Sequence, residues 1–409
     1  MINLTANLRM AVLNLQRNVR RTLVAILSVA GGVIAYLLAS GFIAWIFHDM
    51  REATIHSQLG HIQIVRPDYF DKGIADPYSY LLPANSAEQK LIEQTPQVKT
   101  VTPRLAFSGL LSLGEATIPF IGDGIDPKLE STISTRINII AGEQLKEATE
   151  YSVILGEGLA KSIGANIGDA IVLLVTSANG SPNAVELKVA GTFATITKNY
   201  DDNALRIPIQ VARKLMRVEG ATTWVALLNA TEDTEHVASS LKSTLQKDAY
   251  ELIKWSELAD FYNKTVVLFS KQVDVVKFII AIIIILTISN TQTMSVLERT
   301  TEIGTSLAIG LKRTEILRLF LLEGVLIGVI GGVAGLLLGF ALAQIISTVG
   351  IPMPPPPGMT HGYTGQILVT SNLAVDGLLL AIFTTLLASV MPAWKASRMN
   401  VVDALRCNQ

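Results

Sequence analysis

The sequence contains one set of side chains with the spacing of a metal site. His48, Glu52 and His56 recur at every fourth position, so a helix would carry them on one face. Imidazole nitrogen and carboxylate oxygen are ligands that transition metals accept. The same spacing is typical of a stalk helix whose polar side chains are solvated, and we favour that interpretation. The three residues are therefore weak metal candidates, and we expect no metal site.

A second segment superficially has the composition of a phosphate-binding loop. Residues 156–162 read GEGLAKS. A phosphate loop needs a longer spacer between its glycines and a glycine directly before its lysine, and this segment has neither. We therefore expect a strand-to-helix turn. The sequence also has no HExxH or GxSxG motif, and Cys407 is its sole cysteine, so we predict no catalytic residue and no cofactor in this chain.

The composition indicates a membrane protein. Hydrophobic residues make up 50% of the chain and charged residues only 16%, whereas soluble domains carry about 25% charged residues. The net charge of -1 creates no basic field for nucleic acid. Apolar runs long enough to cross a bilayer predict four spans, at residues 22–47, 273–297, 316–349 and 373–394.

The segments between the predicted spans differ in character. Residues 1–21 place arginines between apolar residues at helical spacing, which predicts an amphipathic helix on the membrane surface. Residues 48–272 combine strand-like alternation with short helical patterns, which predicts one large α+β domain or two lobes. Residues 350–372 contain a run of prolines and predict a stiff extended connector. Residues 395–409 form a short tail.

Individual elements can be predicted inside the large domain. Separate short strands are expected at 98–102 and 108–113, because glycine and proline interrupt the pattern. Paired strands are expected at 170–176 and 186–192. They flank the turn sequence Asn179-Gly180-Ser181-Pro182, which favours a reversal of the chain.

Basic residues near the spans predict the orientation. Lysine and arginine are concentrated in residues 1–21, in residues 298–315 and in the tail, whereas residues 350–372 contain none. The positive-inside rule places these basic segments in the cytoplasm and residues 48–272 outside. Four spans also return both termini to the same side. We therefore predict a multi-pass membrane protein whose large domain lies outside the cytoplasm.

Residues 298–315 have the pattern of a docking helix. Apolar residues at helical spacing predict a short surface helix at about 299–314, and its mixed charges suit a groove on a soluble partner better than a lipid surface. The candidate contact residues are Glu298, Arg299, Glu302, Ile303, Gly304, Ala308, Gly310, Lys312 and Arg313.

The third predicted span carries glycines at every fourth position. One ladder is formed by Gly324, Gly328 and Gly332, and a second by Gly331, Gly335 and Gly339. Small residues at this spacing let helix backbones approach closely. The ladders are compatible with an interface across a dimer axis and with packing against the second or fourth span of the same chain.

Polar residues also occur inside the predicted spans. Glu323 is costly at its depth unless it is paired, so we expect it either to bind a basic residue of the surface helix or to reach the membrane interface. Asn290, Thr291 and Gln292 lie near the inner end of the second span. Their simplest role is to form hydrogen bonds between helices.

These motifs together resemble those of the FtsX-like, or MacB-type (type VII), permeases of ABC transporters. The resemblance rests on residues 298–304 (ERTTEIG), residues 308–310 (AIG), Glu323 with the glycine ladders, and the ending 392–398 (PAWKASR) with 402–406 (VDALR). It extends over the whole chain, because the layout of four spans with one large domain after the first also matches. The size and the segment 60–64 (GHIQI) are most similar to the lipoprotein-releasing, LolC/LolE-like subgroup.

The resemblance implies a mechanical coupler. Two permeases, identical or paralogous, would assemble with two cytoplasmic ABC ATPase subunits that bind ATP and Mg²⁺, and residues 298–313 would be the coupling helix. The spans would lie in a bacterial inner membrane, and the external domain would be periplasmic, with the two-lobed fold of the MacB periplasmic core domain. The implied substrate is a lipoprotein or lipid-like molecule from the inner membrane. Alternatives are MacB-like efflux of a peptide or drug with periplasmic partners, or FtsX-like signalling to a cell-wall enzyme.

Overall fold

The structure is a computed structural model, and it describes residues 4–84, 86–246, 248–355 and 362–401. The ending at 402–406 and Cys407, which the sequence singles out, lie outside the described residues. The chain divides into two compact units. The helical unit is built from parts of residues 1–47, 266–353 and 364–409, and the α+β unit from parts of residues 48–265 and 354–363.

The helices and strands of the described residues are numbered in chain order. The helices are α1 (Leu4–Arg17), α2 (Val19–Thr54), α3 (Ala87–Glu93), α4 (Pro127–Ile133), α5 (Glu157–Ile163), α6 (Lys198–Asp201), α7 (Ile209–Met216), α8 (Thr234–Thr244), α9 (Trp255–Leu258), α10 (Asp260–Glu298), α11 (Thr300–Ala308), α12 (Arg313–Val349) and α13 (Ser371–Ser397). The strands are β1 (Ile62–Val65), β2 (Val98–Leu113), β3 (Ala116–Ile125), β4 (Asn138–Gly142), β5 (Ser152–Gly156), β6 (Ala170–Thr176), β7 (Pro182–Ala194), β8 (Ala204–Pro208), β9 (Thr223–Leu228), β10 (Glu251–Lys254), β11 (Ile351–Met353) and β12 (Tyr363–Gly365). Short π-helices occur at Ile55–Leu59 and Tyr69–Gly73, and 3-10 helices at Pro77–Tyr80 and Thr231–Asp233.

Within the described part of the chain, four helices are long and apolar enough to cross a membrane. They are Val19–Leu59, Asp260–Glu298, Arg313–Val349 and Ser371–Ser397. The apolar runs predicted as spans all lie inside them. Two of these helices are longer than the apolar runs, since α2 continues into the π-helix Ile55–Leu59 and α10 begins at Asp260. Their polar ends therefore extend past the residues that a bilayer core needs.

The helical unit is held by one apolar core to which its long helices contribute. Val29 of α2, Ile284 of α10, Ile327 of α12 and Ala388 of α13 are all buried in it. The backbones come close at Gly32, where a Cβ would lie 2.8 Å from Ile284 Cδ1. Glycine at this position therefore allows α2 and α10 to pack closely.

The α+β unit is built on one mixed ten-stranded sheet. Its strand order is β10-β1-β9-β2-β3-β8-β5-β7-β4, and β6 pairs with both β2 and β7. The β3–β8 and β5–β7 pairs are parallel, whereas pairs such as β6–β7 are antiparallel hairpins. β6 has the predicted bounds 170–176, and β7 is longer than predicted because it begins at Pro182, directly after the turn.

The separate strands predicted at 98–102 and 108–113 are wrong, because both belong to the single strand β2. Pro103 does not break it. β2 pairs with β9 as far as Arg104, and pairing with β3 starts at Arg104 on the other side. Pro103 thus lies where one side of the strand is still an edge, which is a position that tolerates a missing N–H.

Two main cores stabilise this unit. The larger one contains Phe107, Leu155 and Leu205 and is covered by α5 and α7. The second contains Ile64, Trp224 and others and is covered by α3 and α8. The two cores pack against the same sheet.

Candidate functional site

The segment between α10 and α12, residues 298–313, is a short helix followed by a tight turn. We call it the coupling segment. α11 ends at Ala308, so the predicted surface helix at 299–314 is wrong in its second half. The physical reason is Gly310, whose φ of +105° cannot continue a helix. α12 then begins after Lys312, whose backbone N–H donates to Glu315 Oε2 at 3.1 Å.

The candidate contact residues divide into an exposed and a buried set. Ile303 and Gly304 are buried against Ile316, Phe320 and the end of α13, so they anchor the segment. The residues at the turn are exposed: Ala308, Ile309, Gly310, Lys312 and Arg313. We call residues 308–313 the tip.

Ile309 is a highly exposed apolar residue of the tip, with 83% of its surface accessible. An isoleucine this exposed contributes nothing to the core of its own chain. The sequence-based set of contact residues did not include Ile309, although its place between Ala308 and Gly310 is the signal that identifies it.

The N-terminal helix is tied to the coupling segment by ion pairs. Arg17 Nη2 donates to Glu302 Oε2 at 2.9 Å, and Arg21 pairs with Glu298. The Arg17 hydrogen bond lowers the pKa of the Glu302 carboxyl, so this carboxylate stays charged at neutral pH. The predicted surface helix at 1–21 is therefore also a partner of the coupling segment, which its sequence did not indicate.

A buried polar cluster lies at the base of the coupling segment. Arg299 Nη1 donates to Glu323 Oε1 at 3.0 Å, and Asn14 Nδ2 donates to the same oxygen at 2.7 Å. Arg299 also lies over the ring of Phe320, at 5.2 Å from its centroid. The expectation that Glu323 binds a basic residue of the surface helix is confirmed. Since both charges are buried, removing Arg299 would leave Glu323 without a cation, and removing Glu323 would leave Arg299 with only the half-exposed Glu302, at 3.6 Å, as a carboxylate partner.

The two glycine ladders of α12 face two different helices of the same chain. A Cβ at Gly324 or Gly328 would overlap the hydroxyls of Ser389 or Thr385 on α13. The second ladder faces α2, since a Cβ at Gly331 would lie 2.8 Å from Val29 Cβ. Gly332 continues the contact with α13, and Gly335 and Gly339 continue the contact with α2. Of the two interpretations, packing within the chain is the one that these contacts support, and α2 replaces the second span as a partner.

These contacts predict a strong steric effect of leucine at the first ladder. Gly328→Leu should destabilise the packing of α12 on α13 by about 1–3 kcal/mol or more, because the new side chain has no space to occupy. The readout is the thermal unfolding of the purified full chain in nanodiscs. Leu337→Ala is a suitable control, since Leu337 is 65% exposed on the same helix. Equal melting temperatures for Gly328→Leu and the wild type would contradict the close contact.

The polar residues predicted to link helices at the inner end of α10 do not do so. Thr291 donates to the Thr287 carbonyl of its own helix, at 2.8 Å. Asn290 is exposed, and Gln292 is buried beside Gly324 with no hydrogen bond to its amide. A threonine hydroxyl reaches the carbonyl one turn earlier more easily than a neighbouring helix, which explains the failure for Thr291.

The weak metal candidates do not form a ligand set. Among the described residues, no group of three or more His, Cys, Asp and Glu side chains could hold a metal ion. His48 is exposed, whereas Glu52 lies 3.6 Å from His56 and also accepts a hydrogen bond from Thr231. The helix changes to a π-helix at Ile55, so the regular spacing on one face is lost.

A neighbouring histidine, His61, has a structural role. Burial lowers the pKa of His61 to about 4, so its ring is neutral at physiological pH. Its Nδ1 accepts from the Leu228 N–H at 3.0 Å, and its Nε2 lies 3.1 Å from the Thr231 hydroxyl. His61 is therefore a structural hydrogen-bonding residue.

Residues 156–162 form the strand-to-helix turn between β5 and α5, as predicted. Lys161 Nζ pairs with Glu157 Oε1 at 2.7 Å. A Cβ at Gly158 would overlap Asp202, so the glycine allows close packing of two chain segments. These contacts explain the glycines and the lysine without a phosphate ligand.

The α+β unit contains a buried ion-pair network that the sequence did not reveal. We call Arg104, Glu130 and Arg206 the arginine clamp. Arg104 binds Glu130 with two hydrogen bonds, of 2.6 and 3.2 Å, and Arg206 Nη1 lies 3.4 Å from the same carboxylate. Each arginine also donates to a carbonyl of the π-helix that follows α2, Arg104 to Gln58 and Arg206 to Ser57.

The function of the clamp follows from these carbonyls. A π-helix end leaves backbone acceptors without partners in the helix, and a buried acceptor without a hydrogen bond is costly. The two guanidinium groups satisfy Ser57 and Gln58 in the interior. The chain that leaves the first span is thereby fixed to the sheet at β2 and β8.

Two family models match the chain. The MacB-like periplasmic core domain matches residues 22–244, and the FtsX-like permease C-terminal model matches residues 275–401. The first match begins in α2 and ends after α8. The second covers most of α10 and all of the coupling segment, α12 and α13.

The chain is also similar to individual proteins. An uncharacterized ABC transporter permease of Methanocaldococcus jannaschii is 26% identical over 66% of this chain and 65% of its own length. The lipoprotein-releasing system transmembrane protein LolC of Xylella fastidiosa is 27% identical over 76% of this chain and 78% of its own length. The periplasmic region of MacB from Actinobacillus actinomycetemcomitans aligns with 50% of this chain and 94% of that region, at 17% identity and a TM-score of 0.36.

The two family matches agree with the fold. The MacB-like model covers more than half of the 409 residues, and the FtsX-like model covers the described helices that follow the α+β unit. Four apolar helices accompany a mixed α+β unit in the corresponding parts of the chain. The chain therefore belongs to the FtsX-like, MacB-type family of ABC transporter permeases, membrane proteins with a periplasmic α+β domain.

Proposed function

We propose that this permease converts ATP hydrolysis on separate ATPase subunits into movement of its α+β unit, and that the complex extracts a lipoprotein or lipid-like substrate from the membrane. The observation that supports the coupling most is the arrangement of the coupling segment. Its tip is exposed, whereas its base is held by the buried Arg299–Glu323 pair. A force on the tip is therefore passed to the membrane helices instead of being absorbed by a flexible loop.

The route to the α+β unit uses two long helices. α10 runs without interruption from Asp260 to Glu298, and it contains neither proline nor glycine, the residues at which helices commonly kink. α2 continues into the π-helix whose carbonyls the arginine clamp holds. α10 thus offers a connection without kink-forming residues, and α2 offers one whose far end is fixed to the sheet.

The substrate proposal follows from the relatives. LolC is named for lipoprotein release, and a relative from Bordetella avium, MacB, is named for macrolide export. Mass spectrometry of the complex purified from membranes tests whether the substrate is a lipoprotein or lipid-like molecule. We expect an ABC ATPase and lipid-anchored cargo to co-purify. A cell-wall hydrolase without lipid cargo would favour signalling and contradict extraction.

The tip supplies a direct test of ATPase docking. Ile309→Asp should weaken the association with the ATPase at least tenfold, because it places a charge in a docking surface, and loss of a hot-spot residue costs about 2 kcal/mol or more. Co-purification of the ATPase with the tagged full chain is the measurement. Ile140→Asp is a matched control, since Ile140 is a 41% exposed isoleucine of the α+β unit. Undiminished association of the Ile309→Asp chain would exclude the tip as the docking surface.

A further inference from the structure

The α+β unit contains a half-open cavity of about 890 Å³. Its walls come from β2, β3, β6, the turn before β7, and the chain between Tyr69 and Tyr78. Sites for small ligands in proteins commonly measure about 300–1,000 Å³ and combine apolar walls with a few polar groups. The size of this cavity therefore suits one small molecule or one end of a longer one.

The floor of the cavity is an apolar face of three neighbouring strands. Leu110 of β2 is paired with Leu174 of β6, and Ile121 of β3 is paired with Ser108 of β2. Because residues 108 and 110 share one face of β2, all three apolar side chains lie on the same face. They are 46%, 41% and 56% exposed, respectively.

This apolar face is unusual because the sheet already has a core on its other side. Phe107, Leu111 and Leu173 lie in that core and are buried. A strand with one solvated face normally places polar residues there. Here the second face is apolar as well, and Ile74, which is 66% exposed, adds to it from the opposite wall.

The charges of the cavity restrict its ligand. Among the described residues that line it, Asp76 is the one with a charged side chain. Burial raises the pKa of Tyr69, and burial likewise raises the pKa of Tyr78 to about 12, so both phenols are neutral. One carboxylate at the edge of an apolar cavity favours a cation next to a hydrocarbon group and repels an anion.

We propose that this cavity binds the hydrocarbon chain of a cationic amphiphile, with the head group next to Asp76. As a substrate-reception site this assignment rests on the proposed transport function, although the binding itself does not require it. The hydrocarbon contacts the face formed by Leu110, Ile121 and Leu174. The site thereby selects against anionic amphiphiles of the same chain length.

The test uses the full chain in nanodiscs with a fluorophore in the cavity. Ser108→Cys in a Cys407→Ser background carries an environment-sensitive dye, and Glu115→Cys, outside the cavity on the β2–β3 turn, carries the same dye as the control. Dodecyltrimethylammonium, dodecyl maltoside and dodecyl sulfate are titrated below the concentrations at which they form micelles. We expect saturable binding of the cationic probe at Ser108→Cys, weaker binding of the neutral probe and no binding of the anionic probe.

Substitutions then distinguish binding of the probes in the cavity from their general partitioning into the membrane. The double variant Ile121→Ser and Leu174→Ser should weaken the cationic probe at least tenfold, because two apolar contacts of the hydrocarbon are lost. Ile167→Ser, which removes a 49% exposed isoleucine outside the cavity, should change nothing. Asp76→Asn should weaken the cationic probe about threefold and leave the neutral probe unchanged.

Three outcomes would overturn the proposal: an equal response at Glu115→Cys, unaltered affinity of the double variant, or equal binding of dodecyl sulfate. No ATPase is present in this titration. Failure of binding would therefore leave the ATP-coupled function intact, whereas failure of ATPase docking at the tip would leave the binding result intact.

Discussion

Replacing Glu323 with alanine should destabilise the helical unit by about 3–5 kcal/mol, because Arg299 would remain buried without its buried carboxylate partner and would keep only the half-exposed Glu302 at 3.6 Å. Asn14 would also lose its acceptor. The same change should abolish stimulation of the ATPase by the permease, since the base of the coupling segment would no longer be fixed to α12. Glu323→Gln keeps the shape of the side chain and a hydrogen-bond acceptor. This variant should therefore be more stable than Glu323→Ala, and it should still stimulate the ATPase poorly.

The exposed pair at the same segment provides the control. Arg17→Ala removes one of two basic partners of Glu302, and the Arg17 and Glu302 side chains are about half exposed. Such a pair contributes about 0.2–1 kcal/mol, so stability should change little. Thermal unfolding and ATPase stimulation of the full chain in nanodiscs are the two measurements. Similar losses for Arg17→Ala and Glu323→Ala would mean that burial of the Arg299–Glu323 pair has no special role.

Replacing Glu130 with glutamine should be the most damaging single change in the α+β unit. It leaves Arg104 and Arg206 buried with reduced compensation, and it should reduce local stability by about 3–5 kcal/mol. Hydrogen exchange of the full chain should show lost protection at β2, β8 and the π-helix Ile55–Leu59. Glu235→Gln removes the exposed partner of Lys254 and should have almost no effect. Unchanged protection in Glu130→Gln would contradict the role of the clamp.

The clamp also predicts a pH dependence. Burial by itself would raise the pKa of Glu130, but the Arg104 and Arg206 guanidinium groups outweigh it and hold the pKa below its ordinary value of 4.5. A lowered carboxyl pKa in the folded state adds stability that is fully present above the unfolded pKa. This stability is lost as the pH falls through the lowered pKa. Protection of the clamp region should therefore stay constant at neutral pH and decline only under acid conditions below about pH 4.5, and Glu130→Gln should remove this decline.

The sequence predicted well those elements that depend on residues adjacent along the chain. The four apolar runs, the strand at 170–176 and the turn at 156–162 are determined by local hydrophobicity and turn chemistry. The partner of Glu323 was also predictable, because a buried carboxylate needs a cation and the coupling segment supplies one nearby. The helix at 299–314 was overextended, because the positive φ of Gly310 depends on where α12 must begin.

Contacts between distant parts of the chain were not predictable. Asn14 meets Glu323, and Arg206 meets Glu130, only because the topology brings α1 to α12 and β8 to α4. Neither Arg104 nor Arg206 stands out in its strand, since a single arginine in a short strand usually indicates an exposed face. The continuous strand β2 likewise depends on which partner lies on each side of Pro103.

The central claim is that a nucleotide-driven push on the coupling segment reaches the α+β unit through the buried pair at its base. The most direct test is hydrogen exchange of the α+β unit in the complex with its ATPase, with and without a non-hydrolysable ATP analogue. We predict that the analogue changes exchange at residues 48–66 in the wild-type complex, and that Glu323→Gln abolishes this change while the ATPase remains bound. A nucleotide-dependent change of the same size in Glu323→Gln, or none in the wild type, would contradict the account.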